Sequence, residues 1–327
     1  MRVAEIGELS LLERIRDRFR VRSPDVIAGI GDDAAVIAPL DQNLLLTTDM
    51  MVEGVHFDLR FTTPYQLGFK IVSVNVSDIY AMGGRPRFVL LDLGLDGETD
   101  DSFIDSFCAG MEEAMGRYGL ILVGGDLSSS RYGKVVSATL IGYGKRPVMR
   151  CGASPGDRIY VTGALGDSAC GLELLRTIER PIALESGEKL DKPLKWSIMR
   201  PLLFRHLLPE ARNTRRFIAA ATAMIDISDG LFIDLSRLCE ESGVGAKVYL
   251  GCLPISNQLK KAASALGFDP YRFATAGGED YEILFTASPR KRVNAWCIGE
   301  ITRAERTVVD LKNQVKPFSP EGYLHWH

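Results

Sequence analysis

The residues able to do chemistry recur in one form: an apolar run that ends in an acid, with Gly, Ser or Thr beside it. Five junctions share it: Gly31-Asp32-Asp33, Thr47-Thr48-Asp49, Gly124-Gly125-Asp126, Asp226-Ile227-Ser228-Asp229-Gly230 and Gly277-Gly278-Glu279-Asp280. A further acid, Asp78, lies in "VNVSDIYAMGG", near the end of a helical pattern. Singly, each reads as a turn or a helix N-cap, because Asp and Ser accept bonds from free amides there. Gathered at strand ends, the carboxylates would repel and raise one another's pKa unless hard cations filled the cluster. Oxygen donors without His or Cys select Mg²⁺ or Ca²⁺ over zinc or copper. Mg²⁺ held by a few carboxylates keeps waters and bridges to substrate phosphates. Thr47 and Thr48 could add hydroxyl ligands, and Gly124, Gly125, Gly277 and Gly278 would let backbone approach a ligand closely.

Plainer readings stand beside these. Asp229, ahead of "LFIDLSRL", reads equally as a cap alone. Asp167, ahead of "SACGLELL", reads as a cap, and Asp96, Asp100 and Asp101 as loop or capping acids. His56 follows Asp49 by seven residues and is either structural or a ligand contact. No GxxxxGK[ST] loop, no HRD and DFG pair and no GxGxxG opening a helix is present, and "GALGDSACG" lacks the lysine.

Alternating strands and helices must position these acids. A helix is expected over about residues 7–20, then strands at "AAVIA", "NLLLTTD", "RFVLLDLGL", "LILVGGD" and "KVVSATLIGYG". Between them "PYQLGFKIVSVNVSDIYAMGG" and "DDSFIDSFCAGMEEAMGRYG" carry helical spacing. Turn chemistry in "KRPVMRCGASPGD" places a domain boundary near residue 150, dividing the chain into 1–148 and 149–327. The second half continues with "RIYVTG", the helix "DSACGLELLRTIER", a polar surface loop "PIALESGEKLDKPLKW", a strand–turn–helix in "AMIDISDGLFIDLSRLCEESG" and the strand "AKVYL". The helix "SNQLKKAASALG" and strands at "YEILFT", "AWCIGEI" and "TVVDL" follow. The expectation is a mixed α/β (α+β) fold of two domains, each a mixed sheet flanked by helices.

At 327 residues, 46% hydrophobic and 25% charged, the chain is globular in composition and long enough for two cores. The net charge of −3 argues against nucleic acid as a partner. Six cysteines without a CxxC pair argue against structural zinc and fit a reducing cytoplasm. No run approaches the roughly 20 apolar residues of a membrane span, and the N-terminus lacks the apolar core of a signal peptide.

Taken in order, "GIGDDAAV", "TTDMMVEGVHF", "VNVSDIYAMGG", "GGDLSSS", "GDRIYVTGALGDSACGLELL", "IDISDGLFIDL", "GGEDYEILFT" and "GYLHW" resemble the thiamine-monophosphate kinase family nearly end to end. That family shares a superfamily with aminoimidazole ribonucleotide synthetase, selenophosphate synthetase and a hydrogenase maturation factor, and "TTDMMVEGVHF" with "GGEDYEIL" marks the kinase branch. The resemblance implies an AIR-synthetase-like fold and transfer of the γ-phosphoryl of ATP to thiamine monophosphate, giving thiamine diphosphate, with several Mg²⁺ ions. It further implies a homodimer built on the N-terminal domain, which would also bind ATP and Mg²⁺, with the C-terminal domain completing the active site. By position it assigns Asp33, Thr47, Thr48, Asp49, Asp78, Asp126, Asp226 and Asp229 to Mg²⁺. Gly125, Asp126, Arg150 and Ser228 go to ATP, and His56, Glu279 and Tyr323 to thiamine monophosphate. Asp32 yields the ligand position to its neighbour Asp33.

The chemistry is consistent with such residues. The nucleophile would be a phosphate-monoester oxygen, whose second pKa is about 6, so no general base is required. Holding two polyanions together and neutralising charge remain. The runs "RFVLLDLGL" and "KVVSATLIGYG" are apolar on more positions than one covered sheet face needs, which fits the dimer.

Two features depart from the family. Cys108 stands where some relatives place an aromatic beside the nucleotide, and residues 180–195 are idiosyncratic. Among rivals, selenophosphate synthetase needs a reactive Cys or selenocysteine with a lysine near the N-terminus, and residues 1–28 hold neither. The hydrogenase factor ends in a functional cysteine where this chain ends "GYLHWH". "GVHF" and "GGEDYE" argue against aminoimidazole ribonucleotide synthetase. A non-catalytic Mg²⁺- or nucleotide-binding regulator is the rival from another class.

Overall fold

In the first half, four strands with alternating apolar residues find one covered face. The computed structural model describes residues 2, 5, 8–19, 23–28, 35–39 and 41–323. The Asp32–Asp33 junction, and with it the expected ligand Asp33, lies outside them, as does the tail after Tyr323. Helix α1 (Glu8–Arg18) precedes β1 (Val26–Ala28) and β2 (Val36–Ile37), which pair antiparallel. Then come β3 (Asn43–Val52), α2 (Pro64–Ala81), β4 (Arg85–Leu95), α3 (Asp101–Tyr118), β5 (Ile121–Ser129) and β6 (Val135–Gly144). The sheet order is β3-β6-β4-β5, with β4 and β5 parallel and the other pairs antiparallel. Its covered face carries Val89, Leu91, Leu93, Val136, Ala138 and Leu140, all buried. Part of the opposite face is closed by Phe88, Ile121, Val123 and Tyr143 packing with Val26 and Ile37, whereas Leu44, Leu46 and Met50 on β3 are exposed.

The two helices approach through glycines. A methyl on Gly68 of α2 would lie 2.0 Å from the Phe107 carbonyl oxygen, and one on Gly110 of α3 would lie 1.8 Å from that of Tyr65. The backbones therefore touch where side chains would normally separate them. Asp100 caps α3 by accepting from the Phe103 N–H, as expected of a capping acid, and Gly119 ends the helix in the left-handed conformation.

The second half forms a seven-stranded sheet in the order β13-β12-β9-β11-β7-β10-β8, mixed because β12 runs parallel to β9. Its strands are β7 (Arg158–Val161), β8 (Ala221–Asp226), β9 (Gly245–Tyr249), β10 (Ile283–Ala287), β11 (Trp296–Thr302), β12 (Arg306–Val309) and β13 (Val315–Pro317). Its helices are α4 (Asp167–Ile178), α5 (Trp196–Leu207), α6 (Leu231–Ser242), α7 (Asn257–Leu266) and α8 (Pro270–Ala276). Ile159, Val161, Leu165, Ile225, Leu231, Leu235 and Leu284 centre its core. The mixed α/β class expected from the sequence is the observed one. Helices α5 and α8 and strands β1 and β13 are additions to it.

The chain divides into two compact units: Met1–Ile79, Gly84–Lys145 and Arg180–Glu188 form one, and Tyr80–Gly83, Arg146–Glu179 and Lys189–His327 the other. The stretch expected as a surface loop thus returns to the first unit. There Ile182 and Leu184 are buried, Gln66 donates to the Ile182 carbonyl at 2.6 Å, and Thr63 donates to Glu185 at 2.9 Å.

These packings predict opposite effects from one substitution type. Gly110→Ala should cost about 1–3 kcal/mol by forcing α2 and α3 apart. Gly116→Ala, in the same helix with nothing near the added methyl, should gain up to about 1 kcal/mol. Thermal denaturation of the ligand-free protein checks this; melting temperatures moving in the same direction would refute the close-approach account.

Candidate active site

In the first unit the acids reach two faces of one sheet. Strand alternation puts Thr47, Asp49 and the buried Met51 on one side of β3. There the Thr47 hydroxyl donates to Asp78 Oδ2 of α2 at 2.5 Å. Thr48 points the other way: its hydroxyl donates to the Ala138 carbonyl and accepts from Thr139, each at 3.2 Å. The structure therefore joins Thr47 with Asp78 and does not bring the Thr48 hydroxyl to them.

Across that opposite face, the register runs Met50, Ser137, Asp92, Asp126 over β3, β6, β4 and β5. Partial burial of the Asp92 carboxyl, with the Asp126 charge beside it, holds Asp92 above the usual carboxylate range, while the Asp126 N–H it accepts opposes the shift. Asp92 escaped the sequence reading, although a lone acid at an alternate position of "RFVLLDLGL" is a signal. Gly125 has a φ of 152°, and a methyl there would lie 1.8 Å from the Leu91 carbonyl oxygen, so this glycine lets β5 close on β4.

His56 follows the turn at Gly54. Its Nδ1 accepts from the Val52 N–H at 3.1 Å, which leaves the proton on Nε2 as a donor. Cys108 is buried within α3, and burial pushes its thiol up to about 11.

In the second unit, β8 ends at the buried Asp226 and passes into the loop 227–230. The buried carboxylate of Asp234 accepts from the N–H groups of Ser228, Asp229 and Gly230 at 3.1–3.2 Å. Burial pushes Asp234 up to about 6, and the Arg237 guanidinium, 2.7 Å away, pulls against that shift. Asp229 is not a side-chain cap. The N-cap position is Gly230, and Asp229 Oδ2 is paired with Arg237 at 2.7 Å. The Asp167 cap reading is corrected likewise: α4 begins at Asp167, whose carboxylate accepts from Ser256 at 2.6 Å. The acid that caps α4 is Asp280, accepting from Gly166 N–H at 2.6 Å and Ser168 N–H at 3.2 Å. Full burial pushes Asp280 up to about 7 despite nearby Arg205.

Glu279 and Tyr281 both adopt left-handed φ, 63° and 50°. Their N–H groups donate to the carbonyls of Ser228 at 2.7 Å and Ile227 at 2.9 Å. Glu282 is buried, accepting from Thr162 and pairing with Arg205 and Arg212. The Glu279 carboxylate lies 3.2 Å from Nδ1 of the buried His206, which also meets Ser168 Oγ at 3.1 Å. Tyr323 donates its N–H to the Asp229 carbonyl at 3.0 Å and keeps its side chain exposed. Arg150 is exposed, its carbonyl accepting from Ser242 at 2.9 Å.

Among the described residues, no three His, Cys, Asp or Glu side chains converge as a metal cluster. The assigned donors are nonetheless all carboxylates and hydroxyls, and Thr47 with Asp78 forms a pair of hard oxygens, so a hard cation such as Mg²⁺ fits the donor chemistry.

Residues 31–144 match the family described as AIR synthase related protein, N-terminal domain, and residues 154–312 its C-terminal domain. The chain is 37% identical to the thiamine-monophosphate kinase of Aquifex aeolicus (strain VF5) over all of both chains. A solved structure, AaThiL complexed with AMPPCP and TMP, aligns at a TM-score of 0.78 and 36% identity, covering 100% of this chain and 99% of that one. The thiamine-monophosphate kinase of Stenotrophomonas maltophilia K279a aligns at a TM-score of 0.80 and 33% identity over 92% of this chain and 96% of its own. With full-length identity to such enzymes and both halves of the fold matched, the chain belongs to the thiamine-monophosphate kinase family of AIR synthase related proteins.

Proposed function

We propose that this protein phosphorylates thiamine monophosphate with ATP, giving thiamine diphosphate and ADP. The observation that carries this is the oxygen-only donor set, headed by the Thr47–Asp78 pair, in a chain related end to end to thiamine-monophosphate kinases. Asp49, Asp78, Asp126, Asp226 and Asp229, with Asp33 and the threonines, hold Mg²⁺, which when bound supplies neutralisation of phosphate charge. Ser228, Gly125, Asp126 and Arg150 orient ATP. His56 presents a protonated Nε2 suited to a phosphate oxygen. Glu279 and Tyr323 offer a carboxylate and an aromatic face to thiamine, whose thiazolium ring is cationic. The acceptor oxygen is ionised near neutral pH, so no residue need remove its proton.

The domain roles follow the same reading: residues 1–148 bind ATP and Mg²⁺ and dimerise, and residues 149–327 complete the active site. Exposed Leu44, Leu46 and Met50 on β3 support a homodimer through the first sheet. A cytoplasmic location fits the reduced cysteines.

Purified protein should run at dimer mass and consume ATP only when thiamine monophosphate and Mg²⁺ are present. Labelled ATP alone should leave no phosphorylated protein; a trapped phosphoenzyme able to pass its label to thiamine monophosphate would replace direct in-line transfer with a covalent route.

Asp49→Asn, Asp78→Asn and Asp126→Asn should each lower turnover at least about a hundredfold, a barrier of about 2.7 kcal/mol. Their metal-free melting temperatures should hold or rise, because the change relieves repulsion such as that between Asp126 and Asp92. Near-normal turnover at ordinary Mg²⁺ would overturn the metal assignment.

Tyr323 is anchored through its backbone N–H to the Asp229 carbonyl, and its side chain is exposed. Tyr323→Ala should therefore raise KM for thiamine monophosphate by a few-fold to about thirtyfold, as expected for loss of a ring–cation contact. KM for ATP should change little; equal weakening of both substrates, or a lower melting temperature with unchanged kinetics, would assign the ring to structure instead.

A further inference from the structure

Helix α5 carries two consecutive polar residues toward the acids of the 279–282 loop: Arg205 pairs with Glu282 at 2.8 Å, and His206 lies 3.2 Å from Glu279. The Arg205 contact neutralises a buried carboxylate that would otherwise be costly. The His206 contact differs, because Glu279 keeps 29% of its side-chain surface while the histidine keeps 6%. A buried ring thus holds a carboxylate that faces solvent.

The ring is itself fixed. Ser168 Oγ lies 3.1 Å from the same Nδ1, and Ser168 is fully buried at the start of α4. A carboxylate can only accept, so the Nδ1 proton is directed at Glu279 and Ser168 together. Because both partners meet one nitrogen, the ring cannot relay a proton from the serine to the acid. A nucleophile–base–acid relay uses the two nitrogens separately. The arrangement can set an orientation and cannot activate Ser168.

We infer that His206, with its ring locked by Ser168, is a positioning residue that aims the Glu279 carboxylate at the cationic heteroaromatic part of the substrate. The inference rests on the thiamine monophosphate kinase reading and extends it to two residues that touch no substrate. The strained backbone at Glu279 fixes where the side chain starts, and the imidazole fixes where it ends. A carboxylate already oriented loses less freedom on binding a cation, so removing its support should weaken that substrate and leave the nucleotide alone.

The test measures thiamine monophosphate binding by calorimetry on ligand-free protein, and KM for both substrates. The variants are His206→Leu, His206→Asn, Ser168→Ala, Glu279→Gln and the double variant His206→Leu with Glu279→Gln. His206→Leu should weaken thiamine monophosphate about five- to twentyfold and change KM for ATP by less than about twofold. His206→Asn, whose amide nitrogen can occupy the Nδ1 position, should recover most of the loss, and Ser168→Ala should cost about two- to fivefold. On the Glu279→Gln background, His206→Leu should cost less than about twofold more, the non-additivity of residues acting as a unit. Full additivity, equal weakening of both substrates, or no recovery with asparagine would overturn the inference. If His206→Leu does not fold by circular dichroism, the asparagine and Ser168→Ala variants decide by the same split. A wild type that turns over thiamine monophosphate while its variants give an overturning result removes only the positioning role. A wild type that does not bind thiamine monophosphate removes the functional reading and this inference together.

Discussion

Asp234 reaches back from the first turn of α6 and accepts three consecutive backbone N–H groups, those of Ser228, Asp229 and Gly230. A carboxylate out of water must be given donors, and consecutive amides aimed at one point form a concave anion site. Here the protein fills that site with its own acid. The consequence is a loop whose carbonyls have fixed directions. Ile227 and Ser228 receive the N–H groups of Tyr281 and Glu279, and Asp229 receives that of Tyr323. Ser228, Glu279 and Tyr323, far apart in sequence and all assigned to substrates, are therefore tied to one short loop. Arg237 completes the arrangement by bridging Asp229 and Asp234, so that the buried acid is paired as well as bonded.

The 279–282 loop holds its strain by the same means. Two non-glycine residues with left-handed φ alternate with two buried acids. Such backbone costs on the order of 1–3 kcal/mol per residue and persists only where neighbours over-determine it. Asp280 is held by the N-terminal amides of α4, and Glu282 by Thr162, Arg205 and Arg212. The acids between the strained positions thus anchor the loop, and Glu279 is the member presented to solvent.

The mixed α/β class and most elements were legible because their apolar periodicity is strong: β3, β4, β6, α2 and α3 follow the spacing of their sequence runs closely. Helix α5 was hidden by Pro201 in its interior, a residue that removes an amide and argues against a helix. It took His206 and Arg205 out of view with it. The 180–188 stretch looked polar enough for a loop, yet Ile182 and Leu184 anchor it within the first unit. Among acids, type and spacing could not say which carboxylate caps which helix. Asp167 is the first residue of α4, one place past the cap, and accepts from Ser256, while Asp280, distant in sequence, does the capping. Local sequence favours the nearest acid; the fold chooses the one whose oxygens arrive in line with the amides.

The acids accordingly divide by how their charge is met. Asp234, Asp280 and Glu282 are supplied with amides and guanidinium groups from within the protein. Asp78 is met by a threonine hydroxyl, and Asp126 stands in register with Asp92, a like charge. Acids of the first kind have spent their acceptor capacity on structure and can fix backbone geometry. Like charges side by side, as at Asp92 and Asp126, create an electrostatic demand that a cation would relieve, which is the property a reaction between two polyanions can use.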